Sequence, residues 1–145
     1  MANSNPLQVL EAWAAAWTTH DIEKLVSLFT DDCIYEDVTF GVVNRGKQEL
    51  RAFAEGVFAT VPDFRLELTS RFAADRWAAV EWLMSGTPTA DAPPFTATGK
   101  GFSAVRAVTI IELEGGKIRR NSDYWDGVIV MKQTGQLPVS GRGDR

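Results

Sequence analysis

Asp123 lies in the run Lys117-Ile118-Arg119-Arg120-Asn121-Ser122-Asp123-Tyr124-Trp125-Asp126, the stretch of this chain that reads most clearly as chemistry. Gly115 and Gly116 separate it from the β-rich run 104–113. Glycine takes positive φ without steric penalty, so the pair predicts a tight reversal joining two antiparallel strands. Alternation along the second strand groups Asn121, Asp123 and Trp125 on one face and Ser122, Tyr124 and Asp126 on the other. If the first group faces inward, Asp123 is a carboxylate beside an aromatic ring, where desolvation raises its pKa toward neutrality. Such a group exchanges protons at pH 7 and can act as a general acid or base. If the group faces outward, Asp123 is a surface carboxylate paired with Arg119 or Arg120.

The elements that must position this residue follow from periodicity and turn chemistry. Asn5-Pro6 is a capped helix start, and Leu7, Leu10, Trp13, Ala14 and Trp17 recur on one helical face. Asp21 caps a second helix that turns Ile22, Leu25, Val26 and Phe29 inward, leaving His20 as an exposed residue of the connection. Asp31-Asp32 reads as a turn before a strand over 33–38, whose alternation sets Cys33, Tyr35 and Asp37 against Ile34, Glu36 and Val38. That pattern leaves the inner face undecided. A loop over 41–46 leads into a third helix over 47–58, which Pro62-Asp63 ends. Strands are predicted over 64–72, 77–85 and 95–113, the last one long or broken, and a short helix over 128–134. Three helices around one strand, then four antiparallel strands, make an α+β domain: a cone of curved antiparallel sheet with the three helices over it. The mouth of such a cone is a natural small-molecule pocket.

Composition narrows the partners. At 145 residues the chain predicts one domain over 1–145, with an ordered core of about 6–138 and a polar tail over 139–145. A 45% hydrophobic fraction with eight Phe and five Trp argues for a packed globule. The single cysteine, Cys33, cannot close an intrachain disulfide, which suits a reducing compartment. The amino-terminal residues carry no basic leader and the apolar run after them is broken by Glu11, so the expectation is a cytoplasmic protein with no membrane partner. A net charge of −4 gives no electrostatic basis for binding nucleic acid. No His/Cys cluster stands at metal-ligand spacing, so neither a metal nor another cofactor is expected.

These features together resemble the SnoaL-like polyketide cyclase family, within the nuclear-transport-factor-2-like superfamily. The resemblance rests on the order of elements, on Val43-Asn44-Arg45-Gly46-Lys47-Gln48-Glu49-Leu50 leading a helix, on the glycine turn followed by Lys117-Ile118 and Asp123-Tyr124-Trp125-Asp126, and on Gln133-Thr134-Gly135-Gln136-Leu137-Pro138. It implies that Asp123 holds the place of the acid/base aspartate shared by the cyclases and the limonene epoxide hydrolases. It also implies that Tyr35 and Asp37 hold first-strand positions where the hydrolases fix the attacking water. Two further polar positions of the hydrolases, an Arg and an Asp, are here Trp82 and Met84, so the resemblance implies no epoxide hydrolase. It further implies a homodimer paired through the outer face of the sheet.

Tyr35 and Asp37 are then either a buried hydrogen-bonded pair or groups that orient substrate. An Asp37 sharing the cavity with Asp123 would push one carboxyl pKa up, leaving an acid and a base. Trp17, Phe53 and Trp82 are either core or cavity wall, and the same alternatives hold for Met84, Val105, Ala107 and Trp125. Three functions are compatible with these residues: cofactor-independent aldol ring closure in a small apolar or aromatic polyketide-like ligand, isomerase or lyase chemistry on a small apolar molecule, and a non-catalytic binding or dimerisation module.

Overall fold

The computed structural model describes residues 5–138; the expected polar tail lies outside them. The element order is α1 (Pro6–Thr19), α2 (Ile22–Ser27), β1 (Phe29–Asp37), β2 (Val42–Arg45), α3 (Gly46–Thr60), β3 (Arg65–Ala74), β4 (Trp77–Gly86), β5 (Phe102–Glu114), β6 (Lys117–Trp125) and α4 (Gly127–Gln133). Six strands form one curved open sheet in the order β2-β1-β6-β5-β4-β3. Every pairing is antiparallel except β1 with β6, which run parallel. The helices pack over this sheet, α1 on β3 and β4, α3 on β1, and α4 on β5. The architecture is the α+β arrangement expected, with one parallel seam in it.

Local chemistry explains most boundaries. Asn5 caps α1 by accepting from the Leu7 N–H at 2.9 Å, and Asp21 caps α2 by accepting from Lys24 N–H at 3.0 Å. The start of α3 has no side-chain cap at Arg45; instead Glu49 Oε1, one turn into the helix, reaches back to accept the Arg45 N–H at 2.7 Å. Gly115 and Gly116 both have positive φ, 59° and 80°, and turn β5 into β6 as the glycine pair requires.

Four expectations need correction. Asp31 and Asp32 lie within β1 and not in a turn before it; they sit where the β1–β6 register shifts between Phe29 and Ile34, so the turn signal marks a strand irregularity. The loop over 41–46 contains β2, paired with β1. Residues 95–101 are not strand: three prolines, at 88, 93 and 94, and glycines at 99 and 101 leave 87–101 without regular structure beyond one bridge between Ala92 and Phe95. His20 is not an exposed loop residue. It closes α1 in the left-handed conformation at φ 60°, stacks on Phe58 at 4.0 Å, and its Nε2 bonds the Phe64 carbonyl at 2.9 Å. It thereby ties the α1–α2 corner to α3 and to the entry of β3.

His20→Ala should therefore destabilise the fold by about 1–2 kcal/mol, the sum of a stacked ring and a hydrogen bond. Urea unfolding measures this; a change of about 0.5 kcal/mol or less, as for an ordinary surface site, would contradict it.

Candidate active site

The parallel seam builds the site. Along it Asp37 is in register with Asp123 and Tyr35 with Asn121, so two carboxylates stand side by side on the inner face. Tyr35, Asp37, Asn121 and Asp123 are all buried, which answers the question that alternation left open for β1. On the other side of β6, β5 sets Thr109 directly opposite Asp123. In β4, Trp82 lies opposite Ala107, one diagonal step from Thr109.

Asp123 accepts from three side chains. The Tyr35 hydroxyl donates to Oδ2, the Thr109 hydroxyl donates to Oδ1 at 2.6 Å, and Asn121 Nδ2 donates to the same Oδ1 at 2.8 Å. Thr109 in turn accepts from the Trp82 indole N–H at 2.9 Å. Asp123 forms no ion pair with Arg119 or Arg120; Arg119 lies beside Glu114 at 3.2 Å and Asp32 at 3.9 Å instead. Burial pushes the Asp123 carboxyl up to about 7, against the pull of Thr109, Tyr35 and Asn121 and with a further push from Asp37. Burial and the adjacent Asp123 carboxyl hold the Tyr35 phenol well above its usual value. Asp37 is raised too, mainly by burial, although the Phe40 N–H at 2.9 Å and the Trp125 indole N–H at 3.0 Å stabilise its ionised form.

These groups open onto a cavity of about 400 Å³, a size suited to a drug-sized organic molecule. Trp17, Phe53, Trp82, Met84 and Trp125 line it together with Tyr35, Asp37 and Asp123. Val105 and Ala107 are buried in the core but are not part of the cavity wall. Trp13, Phe40 and Phe95 line it as well, and the 87–101 segment adds Pro88 and Pro93 beside Phe95. Phe95, Phe40 and Trp125 pack on one another with ring centroids 5.1–5.6 Å apart. The cavity wall carries no Lys, Arg or His among the described residues. Nor do three His, Cys, Asp or Glu side chains converge there as a metal site would need.

Thr109 was not visible as a site residue because of a one-residue slip. Counting back from the glycine turn, Glu114 faces Lys117 and Leu113 faces Ile118, a register that would bring Thr109 opposite Ser122. A bulge at Arg119 adds a residue to β6, so Glu112 faces Arg120 and Thr109 faces Asp123. Phe40 and Phe95 lie in loops, where periodicity says nothing.

The SnoaL-like polyketide cyclase family model matches residues 7–134. The chain belongs to this family. No curated protein matches the sequence significantly. Among solved structures, it is similar to a hypothetical protein of Catenulispora acidiphila with a ketosteroid isomerase-like fold, in complex with trimethylamine, at 25% identity and a TM-score of 0.79, covering 90% of this chain and 94% of that one. It is similar to IdmH of Streptomyces antibioticus, a candidate polyketide cyclase, at 18% identity and TM-score 0.77, covering 90% and 99%. A cystatin-fold protein of Novosphingobium aromaticivorans matches at 23% identity and TM-score 0.69, covering 85% and 99%. The last two likenesses concern the fold alone.

The site makes stability depend on pH in a definite direction. An unfolded aspartate titrates near 3.9 and folded Asp123 at about 7, so the fold favours the protonated group. Its contribution is whole below about pH 4 and is lost as pH rises toward 7. Asp37, raised in the same direction, adds to the loss. Asp123→Asn removes the larger share of it. Urea midpoints should show this variant gaining on the wild type between pH 5 and pH 8, and a variant that falls behind over that range would contradict this direction.

Proposed function

We propose that this chain is a cofactor-independent cyclase that closes a ring in a polyketide-like substrate by intramolecular aldol chemistry, with Asp123 as the acid/base. The observation that carries the proposal is a buried carboxylate on the wall of an apolar cavity, pushed to about 7 with no cation beside it. Half-ionised at neutral pH, it serves in one turnover as base and then as acid. A C–H between two carbonyls is within reach of such a base, and an apolar cavity holds the resulting enolate against its electrophile. The absence of Lys, Arg and His from the described cavity wall suits a substrate whose buried part is uncharged.

In this mechanism Asp123 takes the proton from carbon, the enolate carbon bonds to the ketone carbon, and the new alkoxide recovers the proton from Asp123. Tyr35 is committed to Oδ2 of the ionised Asp123. Once Oδ2 carries the proton, its O–H donates to the Tyr35 oxygen, which frees the Tyr35 proton to bond the enolate oxygen. A preorganised donor in a water-poor site is well placed to stabilise that charge. Asp37 stays tied to Trp125 and Phe40; its charge raises Asp123 and its position on the wall lets it orient substrate. We further propose that two copies pair through the outer sheet face, where Phe72, Trp77, Ile110 and Tyr124 are exposed. A sedimentation mass of one 16.0 kDa chain at micromolar concentration would overturn that pairing.

Asp123→Asn should cut turnover of a candidate polyketide intermediate by about 10²-fold or more, the scale of a lost general acid/base, without lowering the melting temperature at pH 8. For the wild type, kcat/KM should rise with pH up to about 7 and then level. Marked destabilisation with activity per folded molecule preserved would move Asp123 from the site to the scaffold.

A further inference from the structure

The two oxygens of Asp123 are treated unequally. Oδ1 takes both the Thr109 hydroxyl and the Asn121 amide, and Oδ2 has Tyr35. The Thr109 hydroxyl is itself oriented. An indole N–H can only donate, so the Trp82 bond at 2.9 Å occupies a lone pair of the Thr109 oxygen and leaves the Thr109 proton directed at Asp123. Trp82, Thr109 and Asp123 are all buried, and three adjacent strands fix their separation. A proton on Oδ1 would confront the Asn121 Nδ2–H2 group, which donates there and cannot accept it, and a Thr109 hydroxyl already turned to donate. A proton on Oδ2 meets the Tyr35 oxygen, which can accept as well as donate.

We propose that Thr109 and Trp82 are positioning residues that hold Asp123 Oδ1 as a permanent acceptor, so that the proton of the acid/base cycle is taken up and returned at Oδ2 alone. The chain Trp82 to Thr109 to Asp123 Oδ1 thus aims the reactive lone pair at the Tyr35 side of the carboxyl. Trp82 acts here through its N–H, in addition to contributing apolar wall to the cavity. The ionisable groups that bear on Asp123 are Tyr35 and Asp37, both on β1; β4, β5 and β6 present Trp82, Thr109 and Asn121, none of which titrates. The inference rests on reading Asp123 as the acid/base, but its test needs no substrate.

The test is an NMR titration of the folded protein, following the Asp carboxyl carbons and the indole N–H resonances, with Asp123→Asn and Trp82→Phe as assignments. In the wild type, the Trp82 indole proton should move with pH at the same midpoint as the Asp123 carboxyl. Thr109→Val, which keeps the shape and removes a donor to the ionised form, should raise that midpoint by about one unit. Thr109→Ser should restore it, and Trp82→Phe should raise it by less. An unmoved midpoint in folded Thr109→Val, or a Trp82 indole proton indifferent to the Asp123 titration, would overturn the proposal. Should Thr109→Val not fold, the wild-type indole titration and Trp82→Phe decide alone. Coupled titration in a protein that cyclises nothing would leave this inference standing and remove only the functional reading above.

Discussion

The burial of one carboxylate constrains the rest of this structure. Taking Asp123 out of water disfavours its charged form, and three donors from β1, β5 and β6 offset that cost only in part. Full compensation by an arginine would have fixed the group as an ion pair, and no donors at all would have left it a permanent acid. The balance struck here leaves it near neutrality. Each donor must stay in place for that balance to hold.

The sheet supplies this through two irregular features. The parallel seam between β1 and β6 brings Tyr35 and Asp37 beside Asn121 and Asp123, and the bulge at Arg119 brings Thr109 opposite Asp123. Without the bulge, a one-residue slip would place Ser122 opposite Thr109, and the carboxylate would lose one donor. Helices α1 and α3 then lay Trp17 and Phe53 over the inner face and leave an apolar cavity in front of the carboxyls. The 87–101 segment contributes Phe95, which stacks against Trp125, whose indole N–H is held by Asp37. The 87–101 segment is thus linked to the second carboxylate through a single aromatic side chain.

Much of this was legible in the sequence. The capping residues Asn5 and Asp21, the Gly115-Gly116 turn and the grouping of Asn121, Asp123 and Trp125 on one face of their strand follow from local rules, and the structure bears them out; that this face is the inner one was left open by alternation. Family membership and the α+β class were readable from the order of elements. What was hidden depends on long-range geometry. Alternation could not say which face of β1 is inner, because each of its faces carries both apolar and acidic residues. The partners of Asp123 depend on a bulge that no residue type announces. His20 looked exposed because the turn it closes is polar, yet its ring found Phe58 from a helix far along the chain. Val105 and Ala107 share the alternation of the cavity residues but not their position on the wall; the pattern reports burial and not what a side chain is buried against.

The central claim is that Asp123 is a proton carrier and not a structural anion. The most direct measurement is the titration midpoint of its carboxyl carbon in the folded wild-type protein, assigned by its disappearance in Asp123→Asn. A midpoint near 7, set by burial against three donors, is expected. A midpoint at or below about 4, the range of an ordinary aspartate, would contradict it.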